Sequence, residues 1–390
     1  MEKSKEILFI TNYFPPEKGA ASNRIFSMVE GFSEKNYKVT VVCPLPNYPQ
    51  GKVFKNYKRK LYQNTEESFG KLYRLWLWPT KSSNKFIRLF SMLSFSFSLT
   101  LFLLFKKTPK LVFVQYSPVF VGFTSVLWSK ILKKKIILNV SDLWPLAGLE
   151  MGLLSKGFYY NTLTKMERFC YKKSNLILGQ SEEILTHIRE NDIKNPLFLY
   201  RNYPNFNPPE ISGKSFPKEE IKIVYAGLLG VAQGLCTICN EIVFSEKVSL
   251  HIYGTGPEAE KIKNLNKSHI YYYGEIEREQ LHIELQKYDI GFVPLTYRIY
   301  GSVPSKIFEI SRLGLPILYF AGGEGGDIVK DHNLGWVVAV NNLPELQQFI
   351  NSLSESELNL FNKSNVQKSA VNSFGFQEQF TSLIKKITVI

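Results

Sequence analysis

The stretch Gly301-Ser302-Val303-Pro304-Ser305-Lys306-Ile307-Phe308-Glu309-Ile310-Ser311-Arg312-Leu313-Gly314-Leu315-Pro316 reads as a loop, one short helix and a stop. Proline has no N–H, so Pro304 suits a first helical turn, where that group lacks a partner anyway. Ser302 or Val303 is then the expected cap, with the Ser302 hydroxyl accepting an orphan N–H. Gly314 suits the position just past the helix end, and Pro316 bars continuation. A helix start presents N–H groups and the positive end of a dipole, which together favour phosphate. Lys306 adds a full positive charge in that turn, where cations are otherwise disfavoured. Glu309, four residues after Ser305, shares its face, and its two oxygens match the two hydroxyls of a ribose. The stretch reads either as a nucleotide site or as a solvated helix of an ordinary α/β unit with an exposed glutamate.

The chain around it has 390 residues, enough for two domains with full cores, and its 44% hydrophobic content is globular. Its charged start, Met1-Glu2-Lys3-Ser4-Lys5-Glu6, runs directly into a strand with no secretory signal, so a cytoplasmic protein is expected. Cys43, Cys170, Cys236 and Cys239 are too few and too scattered for a disulfide framework. Cys236 and Cys239 form a lone C-x-x-C without a second pair or a nearby histidine, and read as small apolar residues of a helix. The net charge of +14 lies in the first half, where residues 1–200 carry 30 Lys and Arg against 14 Asp and Glu. Residues 51–135 alone hold 17 basic residues and two acidic ones, Glu66 and Glu67. Such asymmetry points to a polyanionic partner, either nucleic acid or an anionic bilayer. No recognisable nucleic-acid-binding module accompanies it, so no nucleic-acid partner is expected.

Outward from the 301–316 stretch, the second half places glycines after strand upon strand. Expected strands at 221–226, 250–253, 270–273, 290–293 and 316–320 are followed by Gly227 to Gly234 (including Gln233), by Gly254-Thr255-Gly256, by Gly274-Glu275-Ile276, by the loop to Gly301, and by Ala321 to Asp327. Ligands of parallel sheets bind at the carboxyl ends of the strands, so this edge is the expected crevice. Residues 201–217, rich in Pro and Asn, read as a hinge.

The first half repeats the pattern. A strand at 7–11, the loop 12–22 with Gly19, Ala20 and Ala21 at its end, a helix to about 36 and a strand at 39–43 open a parallel α/β domain. Residues 44–62 read as irregular and basic, with a strand at 72–77 beyond them. Residues 89–105 contain no charge but do contain Ser91, Ser94, Ser96, Ser98 and Thr100. At seventeen residues the run is short for a span, and a crossing would split one domain across a membrane. It reads as a buried crossover helix or, preferably, as a helix in the membrane interface with serine on its polar face. Further strands are expected at 111–115, 135–140, 176–179 and 197–200. Asp142, in Ser141-Asp142-Leu143-Trp144-Pro145, sits at such a strand end and reads either as a ligand for sugar or acceptor hydroxyls or as a helix cap.

Two parallel α/β domains joined by a hinge resemble the GT-B glycosyltransferases, two Rossmann-like domains facing a central cleft. The motifs resemble those of the retaining glycosyltransferase family 4, in particular bacterial capsule and O-antigen sugar transferases. The residues that carry the resemblance are the segments 12–19, 141–145, 225–234, 253–257 and 303–309, in the family's order. The resemblance implies an N-terminal domain over 1–200 facing acceptor and membrane, a hinge over 201–217, a nucleotide-sugar domain over 218–375, and a C-terminal helix over 376–390 packing back on the first domain. It implies that Glu309 holds the donor ribose, that Ser302, Ser305 and Lys306 meet the diphosphate, and that Gly274, Glu275 and Ile276 contact the base. Gly227, Gln233 and Gly254 then belong to the donor crevice, Gly19 and Ala20 to the loop facing the donor phosphates, and Asp142 to the transferring sugar and acceptor.

The chain departs from the family twice. The first glutamate of the E-x7-E motif is replaced by Gly301, and residues 227–234 lack the Arg and Lys that usually neutralise the diphosphate. Lys306 is the expected replacement, with Arg298 or Arg201 as helpers.

The implied reaction moves a sugar from a nucleotide diphosphate, UDP by family frequency, to a polyprenyl-diphosphate-linked saccharide at the inner face of the cytoplasmic membrane. Residues 51–135 would face the anionic bilayer. No cofactor is implied, and no metal, since no His/Asp cluster has ligand spacing. The alternatives are a nucleotide-sugar epimerase of the same fold and a non-catalytic nucleotide-sugar-binding subunit.

Overall fold

The protein is described here as a computed structural model, over residues 5–17, 19–48, 51–82, 84–211 and 219–390. Residues 1–4, Lys18 of the first loop and 212–217 of the expected hinge lie outside the described residues. The chain forms two units, one of Met1–Asn202 with Gln377–Ile390, the other of Tyr203–Phe376.

The first unit holds the strands β1 (Lys5–Ile10), β2 (Tyr37–Pro44), β3 (Tyr62–Glu67), β4 (Gly70–Leu75), β5 (Leu111–Gln115), β6 (Lys135–Val140), β7 (Leu176–Gly179) and β8 (Leu197–Leu199). Their order in the sheet is β3-β4-β2-β1-β5-β6-β7-β8. All pairs are parallel except β3 with β4. Central strands such as Ile7-Leu8-Phe9-Ile10 are buried on both faces, as a helix-covered parallel sheet requires. The antiparallel β3 begins where the segment expected to be irregular ends, in a stretch for which no strand was expected. Its sequence, Tyr62-Gln63-Asn64-Thr65-Glu66-Glu67, has no apolar alternation because it is a largely exposed edge strand that buries no face. The C-terminal helix Phe376–Ile387 sets Phe380 against the Gly31 backbone and edge-on to Phe32, at 5.1 Å between ring centroids.

The helix Lys85–Phe105 carries its serines and its large exposed apolar side chains on different faces. Asn84 caps it, its side chain accepting from the N–H groups of Phe86 and Ile87. Serine was expected on its polar face. Ser94 and Ser96 are buried, with Leu99 fully enclosed beside them. The Ser94 hydroxyl accepts from the Trp78 N–H at 2.8 Å and donates to the Ser91 carbonyl, while Ser96 and Ser98 donate to carbonyls one turn back. The outward row is Phe86, Phe90, Leu93, Phe97, Leu101 and Leu104, with Phe90 55% and Phe97 61% exposed. Serines whose hydroxyls satisfy the backbone locally can face a protein interior, which frees the phenylalanines to point out. Among the described residues no helix is long and apolar enough to cross a membrane.

The second unit holds β9 (Ile221–Ala226), β10 (Val248–Tyr253), β11 (Ile270–Gly274), β12 (Ile290–Pro294), β13 (Ile317–Phe320) and β14 (Gly335–Val338). The order is β11-β10-β9-β12-β13-β14, all parallel. Two apolar clusters cover its two faces, one built on Ile223, Tyr225, Leu250 and Ile252, the other on Val224, Ala226, Ile307 and Phe308. The connection reverses direction between β9 and β12, and the carboxyl ends of those two strands flank the switch point where parallel sheets bind ligands.

Candidate active site

The 301–316 stretch enters from β12 and returns to β13, at that switch point. Its helix is Lys306–Arg312, shorter than expected and beginning two residues later. Ser305 is the capping residue and makes no side-chain cap hydrogen bond, so neither Ser302 nor Val303 caps the helix. Pro304 instead closes a turn, its carbonyl accepting from the Ile307 N–H, and Ser305 accepts from Phe308 and Glu309. Three N–H groups of the first turn are therefore already engaged, which leaves less free donor capacity than the sequence suggested. The C-terminus follows expectation. Gly314 takes a positive φ of 81°, its N–H bonds to the Ser311 carbonyl, and the Leu315 N–H bonds to Ile310, the paired bonds of a Schellman motif.

Glu309 is buried rather than exposed, which disposes of the solvated-helix reading. Lys306 Nζ donates to its Oε2 at 2.8 Å, and His282 Nε2 lies 2.9 Å from its Oε1. His282, on the helix Arg278–Leu285, belongs to no motif, and only its position opposite Glu309 reveals it. The Lys306 side chain also reaches the first glycine loop. A Cβ built on Gly227 would sit 3.6 Å from Lys306 Cε.

Main-chain hydrogen bonds knit the loops after the strands together. Gly227 donates to Tyr253, Gly254 to Gly274, Leu229 to Thr255, and Thr296 to Ala232. Gly254 is indispensable here, because its φ is +137° and a Cβ would fall 1.8 Å from the Gly227 carbonyl oxygen. Gly254→Ala is expected to cost about 2–3 kcal/mol of stability. The expected result is a melting temperature several degrees below wild type, and an unchanged one would contradict the close approach.

The remaining candidates of this unit are dispersed around the rim. The Gln233 side chain turns back to accept from the Gly230 N–H at 3.2 Å. Gly274 has φ +78°, Glu275 is exposed, and half-buried Ile276 lines an open hollow of about 500 Å³ with Tyr253, Tyr273, Gln280, Ile283 and Glu284. Arg298 lies beside Gly322, its Cδ 3.6 Å from where a Cβ would be. Arg201, the other suggested helper, is in the first unit, where its backbone is clasped by the Gln379 side chain. Among the described residues no group of three or more His, Cys, Asp or Glu is placed to hold a metal ion.

In the first unit, Gly19 and Ala20 are exposed at the start of the helix Ala20–Glu34. The loop before them is pinned by buried Glu17, whose carboxylate accepts from the Asn47 and Tyr48 N–H groups at 2.7 and 2.8 Å. Burial pushes the Glu17 carboxyl above its ordinary range, against the pull of those bonds. Asp142 is exposed just beyond β6 and does not cap the next helix, whose cap position is Pro145. Its strand end is braced by a relay absent from the sequence reading. Buried Arg24 donates to Gln180 at 2.6 Å, and Gln180 donates to the Ser141 carbonyl at 2.7 Å. The other donors of Arg24, Nε and Nη2, are buried without a hydrogen-bond partner among the described residues.

Two parallel α/β units, the second with a glycine-lined switch point, define a protein of the GT-B glycosyltransferase fold. Residues 220–356 match the family model described as Glycosyl transferases group 1. Among solved structures the chain is similar to sucrose-phosphate synthase from Thermosynechococcus elongatus, at 12% identity over 98% of both chains with a TM-score of 0.75. It is also similar to HepE from Anabaena in complex with UDP and glucose, at 13% identity over 99% of this chain and 100% of that one, TM-score 0.67. A third is the catalytic domain of starch synthase IV from Arabidopsis thaliana bound to ADP and acarbose, at 11% identity over 98% of both chains, TM-score 0.65. No curated protein sequence matches the chain.

Proposed function

We propose that the protein is a retaining glycosyltransferase that moves a sugar from a nucleoside-diphosphate sugar, UDP-linked by preference, to a lipid-linked saccharide in bacterial surface polysaccharide synthesis. The observation that carries this reading is the Lys306–Glu309 pair at the β9/β12 switch point, the glutamate buried and the lysine half-buried against the Gly227 backbone. One residue supplies acceptors for ribose hydroxyls and the other a cation for the diphosphate. The match of residues 220–356 to Glycosyl transferases group 1, and the UDP carried by HepE, support the same reading.

The chemistry follows from charge. Breaking the bond between the anomeric carbon and the phosphate oxygen builds positive charge on the sugar ring and negative charge on the leaving diphosphate. Lys306 stabilises the latter. The acceptor oxygen bonds to the anomeric carbon on the face the phosphate leaves, and the acceptor proton passes to a leaving phosphate oxygen. This path needs no protein nucleophile. Asp142, exposed at the end of β6, orients the acceptor hydroxyl. Gly301 stands where a glutamate would reach the donor sugar, so the choice of sugar falls to neighbouring groups.

The acceptor places the enzyme on the inner face of the cytoplasmic membrane. The outward row of the helix Lys85–Phe105 and the basic surplus of residues 51–135 support that placement.

Calorimetric titration with UDP, GDP, ADP and CMP, on wild type and Glu309→Ala, tests the donor site. One nucleotide is expected to bind selectively, with Glu309→Ala weakening it by about 2 kcal/mol, roughly thirtyfold in Kd. Equal affinity in the variant would remove Glu309 from the site, and absence of binding by any nucleotide would overturn the reading.

A further inference from the structure

The donor-site reading leaves His282 without a role, although it touches the carboxylate on which that reading depends. We propose that His282 is the positioning residue for Glu309 and thereby sets the protein's preference for a ribose over a deoxyribose. The inference rests on the donor-site reading above and assigns a residue which that reading does not use.

Glutamate has three rotatable side-chain bonds, and a carboxylate that must meet two hydroxyls at once loses affinity if it wanders. Lys306 alone does not prevent this, because it lies on the same helix three residues earlier and is itself long and flexible. His282 comes from a different helix and holds the other oxygen, Oε1, at 2.9 Å. With Nε2–H donating, each carboxylate oxygen is gripped from a separate element.

The histidine is itself braced. Its ring packs on Phe206 with 4.5 Å between centroids. Arg312, at the end of the Glu309 helix, donates from Nη2 to the Phe206 carbonyl at 3.1 Å, lays its guanidinium over the Phe206 ring, and donates from Nη1 to the Phe374 carbonyl. The chain from Arg312 through Phe206 and His282 to Glu309 is closed within the second unit. A histidine that only glued two helices together would need the ion pair. It would not need its ring fixed by a stack on Phe206 while it meets Glu309.

The test compares two substitutions that separate the donor from the ring. His282→Phe keeps a ring against Phe206 and removes the N–H. His282→Gln keeps an N–H donor at similar reach and removes the ring. Each purified full-length protein is titrated calorimetrically with UDP, GDP and ADP and with their 2′-deoxy counterparts, and its melting temperature is recorded.

Wild type is expected to favour the ribonucleotide by about tenfold, one hydrogen bond to a charged acceptor. His282→Phe is expected to bring that ratio below about threefold, while His282→Gln retains most of it. A ratio in His282→Phe equal to wild type would overturn the proposal, as would an equal fall in both variants, which would make the ring's packing the cause. Failure of the wild type to bind any of these nucleotides would overturn the donor-site reading and this inference with it. Wild-type binding with an unaltered ratio overturns this inference alone.

Discussion

Lys306→Met is expected to lower the turnover of sugar transfer by about 10²–10³-fold and to change the donor KM far less, if the lysine acts mainly on charge developing in the transition state. The proposed role rests on where the side chain lies. Its Nζ lies 2.8 Å from Glu309 Oε2, and its stem passes the Gly227 backbone, where no arginine or lysine of the first glycine loop competes for the diphosphate. Methionine preserves the length of the stem, so packing against Gly227 is kept while the charge is lost. Glu309 retains His282, and ground-state binding through the ribose should largely survive. The measurement is release of the nucleoside diphosphate from its sugar conjugate, with kcat and KM separated. Unchanged kcat would assign the diphosphate to another cation, and loss of binding with unchanged kcat would make Lys306 a ground-state contact.

The second large effect concerns the helix Lys85–Phe105. Replacing Phe90, Phe97 and Leu101 together by serine removes three large outward side chains and no interior one. Burial of such a side chain is worth about 1.5–3 kcal/mol, so the triple variant should lose about 5 kcal/mol of binding to vesicles containing anionic lipid, more than about a thousandfold in partitioning. The interior of the first unit is untouched, and the melting temperature should stay close to wild type. Trp78 offers a direct readout, since it is 51% exposed and packs edge-on to Phe90 at 5.9 Å. Its fluorescence should shift to shorter wavelength when wild type meets anionic vesicles and stay constant for the triple variant. Binding should also weaken with salt, because lysines supply part of the attraction. Wild type that ignores anionic vesicles would sink the placement at a membrane.

The sequence disclosed what depends on local chemistry. Buried parallel strands announce themselves as apolar runs such as Ile7-Leu8-Phe9-Ile10, and Gly314 marks a helix end because an αL residue is needed there. The pairing of Glu309 with Lys306 follows from a spacing of three residues on one short helix. Features decided by distant partners were not legible. His282 and Arg24 look like any helix residues until the fold brings Glu309 and Gln180 to them. The direction of Ser94 was not legible, because composition shows that a helix has two faces without showing which one the protein covers. β3 escaped notice because an exposed edge strand needs no apolar pattern, and the cap of the Lys306–Arg312 helix moved because a Pro304 turn uses the same residues as a first helical turn.

The packing of Tyr203 and Phe206 bears on where the second unit may be cut free. Tyr203 sits edge-on to Phe308 at 5.0 Å and also meets Phe374, while Phe206 covers the ring of His282. A fragment begun at residue 218 would retain all six strands of its sheet and every glycine of its rim. It would nevertheless take Tyr203 from Phe308, Phe206 from His282 and the Phe206 carbonyl from Arg312, so a fragment that keeps the packing of the second unit has to start no later than Tyr203.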